Sequence, residues 1–288
     1  MSRRAPLLLL AWLGGCAAAP VEPPLPAVAE PLPPARVIHS EAAAVGRVYV
    51  LEADGLRIMR FDDPAGDDQS MVRIGDPRAV PLDYLRLALA GLAWADRQQR
   101  LAMIGLGGGG LTTAAFHSLD GLEIDAVDIS PTVVRLARRY FGLPRDPRYR
   151  IHIERGRRFL QRTEQRFDAV ILDAYTEDLE APAVMRQGDV FALVKRRLRP
   201  GGVLIVNLAV DPGPEQLVLV RLRRVFGRLA CIDTADELNR VVIARRDGRW
   251  LDHQSVAARL AALARRGRWG FDLAAAASDR HECTPPQL

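Results

Sequence analysis

Two stretches decide the fold: Leu101-Ala-Met-Ile-Gly-Leu-Gly-Gly-Gly-Gly110, and Ile124-Asp-Ala-Val-Asp128, whose last residue lies 23 positions after Gly105. A short apolar run that ends in glycines and leads into a helix-like stretch from Leu111 reads as strand, tight turn, helix. Glycine is needed where backbone approaches a ligand closely and takes positive φ. Gly105, Gly107 and Gly110 fit the dinucleotide spacing, while Gly105, Gly107 and Gly109 fit an alternative nucleoside-binding turn. Asp128, ending the next strand, is placed to accept ribose hydroxyls. No Gly-Lys-Ser/Thr follows the turn, which excludes the phosphate cradle of nucleotide hydrolases.

Working outward, strands and helices alternate. Thr132–Phe141, Arg157–Glu164, Asp189–Leu198 and Val220–Phe226 read as helices, and Arg150–Ile153, Phe167–Asp173, Val203–Leu208, Leu229–Ile232 and Arg240–Ala244 as strands. That alternation predicts an α/β fold with a doubly wound, mostly parallel sheet. Upstream, Arg47–Leu51, Leu56–Phe61 and Ser70–Ile74 alternate apolar with polar, and Asp54-Gly55 marks a tight turn, so a small β module precedes the sheet. Asp83–Ala95 reads as a helix with Leu85, Leu89, Leu92 and Ala93 on one side.

The composition is that of a globular chain: 288 residues, 49% apolar and 26% charged. Of the 40 basic residues only Lys195 is lysine. The arginines are scattered over amphipathic stretches rather than gathered in a block, so the net charge of +5 does not imply a nucleic-acid partner. Arg3 and Arg4, the apolar Leu7–Leu13 and then Gly14-Gly15-Cys16 resemble a bacterial lipoprotein signal, with Cys16 the lipidated residue that anchors the chain to membrane. Ala17 lacks the aspartate that retains such proteins at the inner membrane. The expected location is therefore the cell envelope, as an outer-membrane lipoprotein facing the periplasm, or the cytoplasm if the signal is not processed. Pro20–Pro34 holds seven prolines in fifteen residues and reads as an extended tether. Cys231 and Cys283 have no His or Cys at metal spacing. They could pair in an oxidising compartment, which spacing does not establish; a buried thiol and an exposed tail thiol are the favoured expectation, and no metal is expected.

Asp173 ends the fourth strand of the alternating set, beside the crevice where parallel sheets bind ligands. The loop that follows carries Tyr175, Glu177, Asp178 and Glu180, and acidic groups with an aromatic ring suit a cationic amine. A solvated surface turn remains the alternative for Glu177, Asp178 and Glu180.

Met103–Gly110, Ala126-Val-Asp-Ile-Ser-Pro131, Val133–Phe141, Phe167–Tyr175 and Pro200-Gly-Gly-Val203 together resemble the spermidine synthases, and more closely the bacterial spermidine synthase-like branch of that methyltransferase-fold superfamily. The resemblance spans roughly residues 45–245. It implies a methyltransferase-like (Rossmann-like) domain at 81–250 behind the β module at 37–80. A signal at 1–16, a tether at 17–36 and a helix with polar tail at 251–288 complete the expected organisation. By resemblance, the reaction moves an aminopropyl group from decarboxylated S-adenosylmethionine to a small-molecule amine. Gly105, Gly107, Gly109, Gly110 and Asp128 would hold the nucleoside, and Asp173 would take the proton from the attacking amine. Gln69, Tyr84, Tyr175, Glu177 and Asp178 would line the amine cleft.

Several positions depart from the family's pattern. Gly108 stands where the family has an aspartate that contacts the aminopropyl ammonium. Glu154-Arg155 replaces an adenine-side Gly-Asp pair, Leu85-Arg86 replaces the His-Glu after Tyr84, and Thr176 replaces an aspartate. Three readings follow: an aminopropyltransferase-like enzyme, a methyltransferase using intact S-adenosylmethionine, or a non-catalytic lipid-anchored binding protein. The envelope address weighs against chemistry, because sulfonium nucleosides are made in the cytoplasm. The sequence leaves the oligomeric state open, a homodimer among the options.

Overall fold

The computed structural model describes residues 35–43, 46–173, 190–210, 214–277 and 280–283. Strands β1 (Arg36–Ala43), β2 (Gly46–Ala53), β3 (Leu56–Phe61) and β4 (Ser70–Arg73) form an antiparallel meander. Asp54 and Gly55 both take positive φ, 45° and 70°, which matches the twist of a two-residue hairpin. Val48, Val50 and Met59 are buried on one face of the meander, packed with Val133, Leu136 and Phe141 from the segment after Asp128. The module thus begins at Arg36, the last residue of the expected tether. Cys16 lies outside the described residues.

Next come α1 (Asp83–Ala90), β5 (Arg100–Ile104), α2 (Gly110–Ser118), β6 (Glu123–Asp128), α3 (Pro131–Tyr140), β7 (Tyr149–Ile153) and α4 (Gly156–Arg162). They are followed by β8 (Phe167–Leu172), α5 (Val190–Arg197), β9 (Leu198–Ala209), α6 (Pro214–Phe226), β10 (Ala230–Asp233), β11 (Asn239–Arg245), α7 (His253–Arg266) and β12 (His281–Glu282). The eight strands from β5 onward make one sheet in the order β12-β10-β11-β9-β8-β5-β6-β7. Strands β9, β8, β5, β6 and β7 run parallel, and β11 enters antiparallel beside β9. The chain therefore starts at β5, winds out through β6 to β7, then returns to β8 and winds the other way. A ligand crevice belongs at that reversal, outside the carboxyl ends of β5 and β8.

Local sequence explains the elements that flank the reversal. In α3, Ser130 caps the first turn by accepting from the Val133 N–H, and Pro131 supplies a preset φ. Val133, Val134, Leu136 and Ala137 are buried, while Arg135, Arg138 and Arg139 face out. In β8 every residue of Phe-Asp-Ala-Val-Ile-Leu is buried, as a strand covered on both faces requires. Asp168 tolerates burial because its carboxylate accepts from the Gln99 and Arg100 N–H groups and pairs with Arg199.

Two expectations need correction. The helix from Asp83 ends at Ala90 and tightens to a 3-10 turn over Gly91–Trp94, where a Cβ at Gly91 would lie 3.0 Å from Ile205 Cδ1. Cys231 and Cys283 are not separate thiols: they form a disulfide. Their spacing of 52 residues gave no hint of it, because the tail after α7 folds back and adds β12 to β10, with Cys231 opposite His281.

Candidate functional site

The ends of three neighbouring strands are laced together by backbone. Gly105 N–H donates to Val127 O at 2.9 Å and Asp173 N–H donates to Ile104 O at 2.9 Å. With strands about 4.8 Å apart, Asp128 and Asp173 stand roughly 10 Å from each other on either side of the glycine turn. Gly105, Gly107 and Gly109 take φ of 91°, 54° and 74°. At Gly109 a Cβ would also lie 2.2 Å from Leu143 Cδ2, so the turn admits only glycine there. Gly110 opens α2, whose first N–H groups and positive dipole end face the same crevice.

Asp128 is half-buried and braces this turn. Its Oδ2 accepts from the N–H groups of Leu106 at 3.0 Å and Gly107 at 3.3 Å, and Oδ1 accepts from Ser130 N–H at 2.8 Å. Burial raises its pKa against the lowering effect of those bonds. A carboxylate has about four acceptor positions, so three backbone bonds leave about one for a ligand hydroxyl. Beside it, Ile129, the next residue in the chain, and Ile153, the register partner of Asp128 in β7, are each 50% exposed. Sequence reading passed over both. Their signal was an aliphatic residue just beyond, or at, a strand end where polar residues usually stand.

Asp173 sits at the end of β8, where burial pushes its pKa up to about 6 against the opposing hydrogen bond from Asn207. Asn207 Nδ2 donates to Asp173 Oδ1 at 2.9 Å from β9. Sequence reading missed Asn207 as well, although a lone amide in an apolar strand is visible in Val203–Leu208. Tyr175, Glu177, Asp178 and Thr176 lie outside the described residues.

The β module closes the crevice from the other side. Gln69 is exposed, with its backbone carbonyl 3.9 Å from where a Gly107 Cβ would stand. A Cβ at Gly108 would lie 2.6 Å from Phe141 Cδ1 and 2.7 Å from Ser70 Oγ. The space an aspartate would need is filled by a buried ring and a buried hydroxyl. Tyr84 is only partly buried against the core, Leu85 is a core residue, and Arg86 donates to Val80 O at 2.6 Å and pairs with Asp83. Glu154 is held by Arg162 through its Nε at 2.9 and 3.0 Å. Among the described residues no three His, Cys, Asp or Glu side chains gather as a metal site would need.

Sheet order, glycine turn and strand-end carboxylates define a methyltransferase-like, doubly wound fold. Residues 87–211 match the spermine/spermidine synthase domain. The chain is 28% identical over 239 residues to the polyamine aminopropyltransferase of Chromobacterium violaceum, covering 82% of this chain and 90% of the relative. A solved spermidine synthase in complex with the transition-state analogue AdoDATO superposes with a TM-score of 0.67 at 18% identity, covering 84% of this chain and 85% of the other. At that identity the likeness shows the fold. Human methyltransferase-like protein 13 in complex with SAH has a TM-score of 0.59 at 25% identity, covering 66% of this chain and 96% of the other. The chain is thus similar to spermine/spermidine synthases and polyamine aminopropyltransferases, with a methyltransferase as a neighbour in fold.

Proposed function

We propose that this chain is a spermidine synthase-like transferase in which Asp173 takes a proton from an amine that attacks the carbon beside a sulfonium, with decarboxylated S-adenosylmethionine as donor. One observation carries the reading: the Asp173 carboxylate, bonded by the Asn207 amide, stands at the β8 end next to the glycine turn at the reversal of the sheet, where burial pushes its pKa up to about 6. A base with that pKa is largely ionised at neutral pH and still accepts a proton. The remaining residues orient. Gly105, Gly107, Gly109 and Gly110 let the backbone approach the nucleoside, Asp128 receives a ribose hydroxyl, and Ile129 and Ile153 offer an apolar face to a flat base. Gln69 and Tyr84, with Tyr175, Glu177 and Asp178 of the following loop, are assigned to the amine by resemblance. Alignment of the two reactants supplies most of the rate.

A second reading has its own observation. With Phe141 and Ser70 filling the place beside Gly108, no carboxylate from the turn meets an aminopropyl ammonium, which favours methyl transfer from intact S-adenosylmethionine. Calorimetric titration with S-adenosylmethionine, its decarboxylated form and methylthioadenosine, followed by mass spectrometry of the products with putrescine, separates the readings by a gain of an aminopropyl or a methyl mass. Binding without transfer to any amine would favour the binding-protein alternative. Asp128→Ala should weaken nucleoside binding by about 1.5–3 kcal/mol, the scale of hydrogen bonds to a charged group. Unchanged affinity in the folded variant would show that the turn holds no nucleoside.

The proposed location is the envelope, through lipidation at Cys16. The Cys231–Cys283 disulfide supports it, since such bonds persist in oxidising compartments. Cys16→Ser should move the protein out of the outer-membrane fraction of fractionated cells; wild-type chain found wholly in the cytosol with Met1 intact would overturn the assignment.

A further inference from the structure

Asn207 stands in β9 within Val203-Leu-Ile-Val-Asn-Leu208 and is 3% exposed. A buried amide among aliphatic side chains is costly unless both of its ends are bonded. Its nitrogen is bonded to Asp173 at 2.9 Å. Its Oδ1 is buried and has no hydrogen-bond partner among the described residues. The orientation follows from charge: an ionised carboxylate only accepts, so the NH₂ end must face Asp173. Because the amide is planar, that bond also fixes where Oδ1 points. Asp173 Oδ2 and Asn207 Oδ1 are therefore two acceptors locked to one another by a single hydrogen bond.

We propose that Asn207 is a positioning residue for Asp173, holding its carboxylate through Nδ2 and presenting Oδ1 as a second acceptor for an N–H of the attacking amine. The assignment rests on reading Asp173 as the base. A primary ammonium gives one proton to Asp173 Oδ2 and becomes a neutral amine, with a remaining N–H directed to Asn207 Oδ1. The nitrogen lone pair then forms the N–C bond as the C–S bond breaks, and that bonding pair stays on sulfur as a thioether. The product leaves as a secondary ammonium, and the proton on Asp173 returns to solvent. Two acceptors fix the direction of the lone pair, which one carboxylate free to rotate does not. Among the described residues no charged side chain is hydrogen-bonded or ion-paired to Asp173; the polar side chain bonded to its carboxylate is the Asn207 amide.

Asn207→Leu removes donor and acceptor while keeping an apolar strand. The Asp173 carboxyl, followed by carbon NMR in aspartate-labelled protein, should titrate about one pH unit higher, the scale of one lost hydrogen bond to the charged form. The acid limb of the kcat profile should move with it, so that the loss at pH 6 exceeds the loss at pH 9 by about fivefold, while methylthioadenosine affinity stays within about twofold. A purely structural role would lower activity evenly across pH and leave the carboxyl titration unmoved, and that result would overturn the proposal. If the leucine variant does not fold, Asn207→Asp keeps the shape. Two carboxylates at this distance should titrate as a coupled pair with the upper midpoint above about 7, and two independent ordinary titrations would equally overturn it. The NMR measurement needs no turnover. A shifted midpoint in a protein that transfers nothing would retain the Asn207–Asp173 coupling and sink the transferase reading alone.

Discussion

Unfolding of the Cys231→Ser/Cys283→Ser variant is expected to require about 4 kcal/mol less than unfolding of the oxidised protein, the chain-entropy value for closing a loop of this length. The bond spans 52 residues, a stretch that contains β11 and α7, so reduction frees a long segment in the unfolded chain. Beside the disulfide, Cys283 N–H donates to Leu229 O at 3.1 Å and the Arg280 guanidinium donates to His253 O at 2.6 Å. Strand β12 offers two register pairs to β10, and Glu282 pairs with Arg228 at the surface, an exposed ion pair worth at most about 1 kcal/mol. Cys231 is wholly buried and Cys283 nearly so, and two serines in their place would also leave hydroxyls under-bonded. Urea melts of the oxidised, reduced and double-serine proteins check this directly. If all three agree within about 1 kcal/mol, the disulfide is not what holds β12 to the sheet.

What the sequence made legible was whatever repeats locally. The β5–turn–α2 unit, β6 with Asp128 and β8 with Asp173 follow from apolar runs closed by glycine or aspartate, and the structure places them within one or two residues of the expected bounds. Strand β1 escaped because Arg-Val-Ile-His-Ser-Glu-Ala-Ala has half-exposed positions on both faces and hence no clean alternation. Strand β12 has two residues, too few for any period. The disulfide and the packing of Phe141 against Gly108 are contacts between segments far apart in the chain, which spacing does not encode. The same holds for Ile129 and Ile153: that they are aliphatic is written in the sequence, but that they lie open beside Asp128 is a product of strand order.

Asp173→Asn is expected to separate chemistry from binding and to raise stability as it does so. Asparagine keeps the shape and the strand-end position but accepts no proton. Turnover should fall by roughly 10²- to 10⁴-fold, the general-base scale, with methylthioadenosine affinity nearly constant because Asp128 and the glycine turn are untouched. The wild-type rate should drop below about pH 6, where Asp173 becomes protonated. Stability should run the other way. An acid whose native pKa is raised from about 4 to about 6 binds its proton more tightly in the folded state, so its ionisation weakens the fold. That cost is absent below about pH 4, grows between pH 4 and 6, and is complete above pH 6 at roughly 2–3 kcal/mol. The amide of the Asp173→Asn variant carries no such charge, so the variant should be more stable than wild type at pH 7 and about equal to it at pH 4. A folded variant with full turnover would remove Asp173 from the chemistry. One with lost turnover and no gain in stability at pH 7 would instead show that the carboxylate is well solvated or paired with a partner in the loop after it. A desolvated base suits the proposed transfer, and the paired measurements of rate and stability test for that desolvation in one residue.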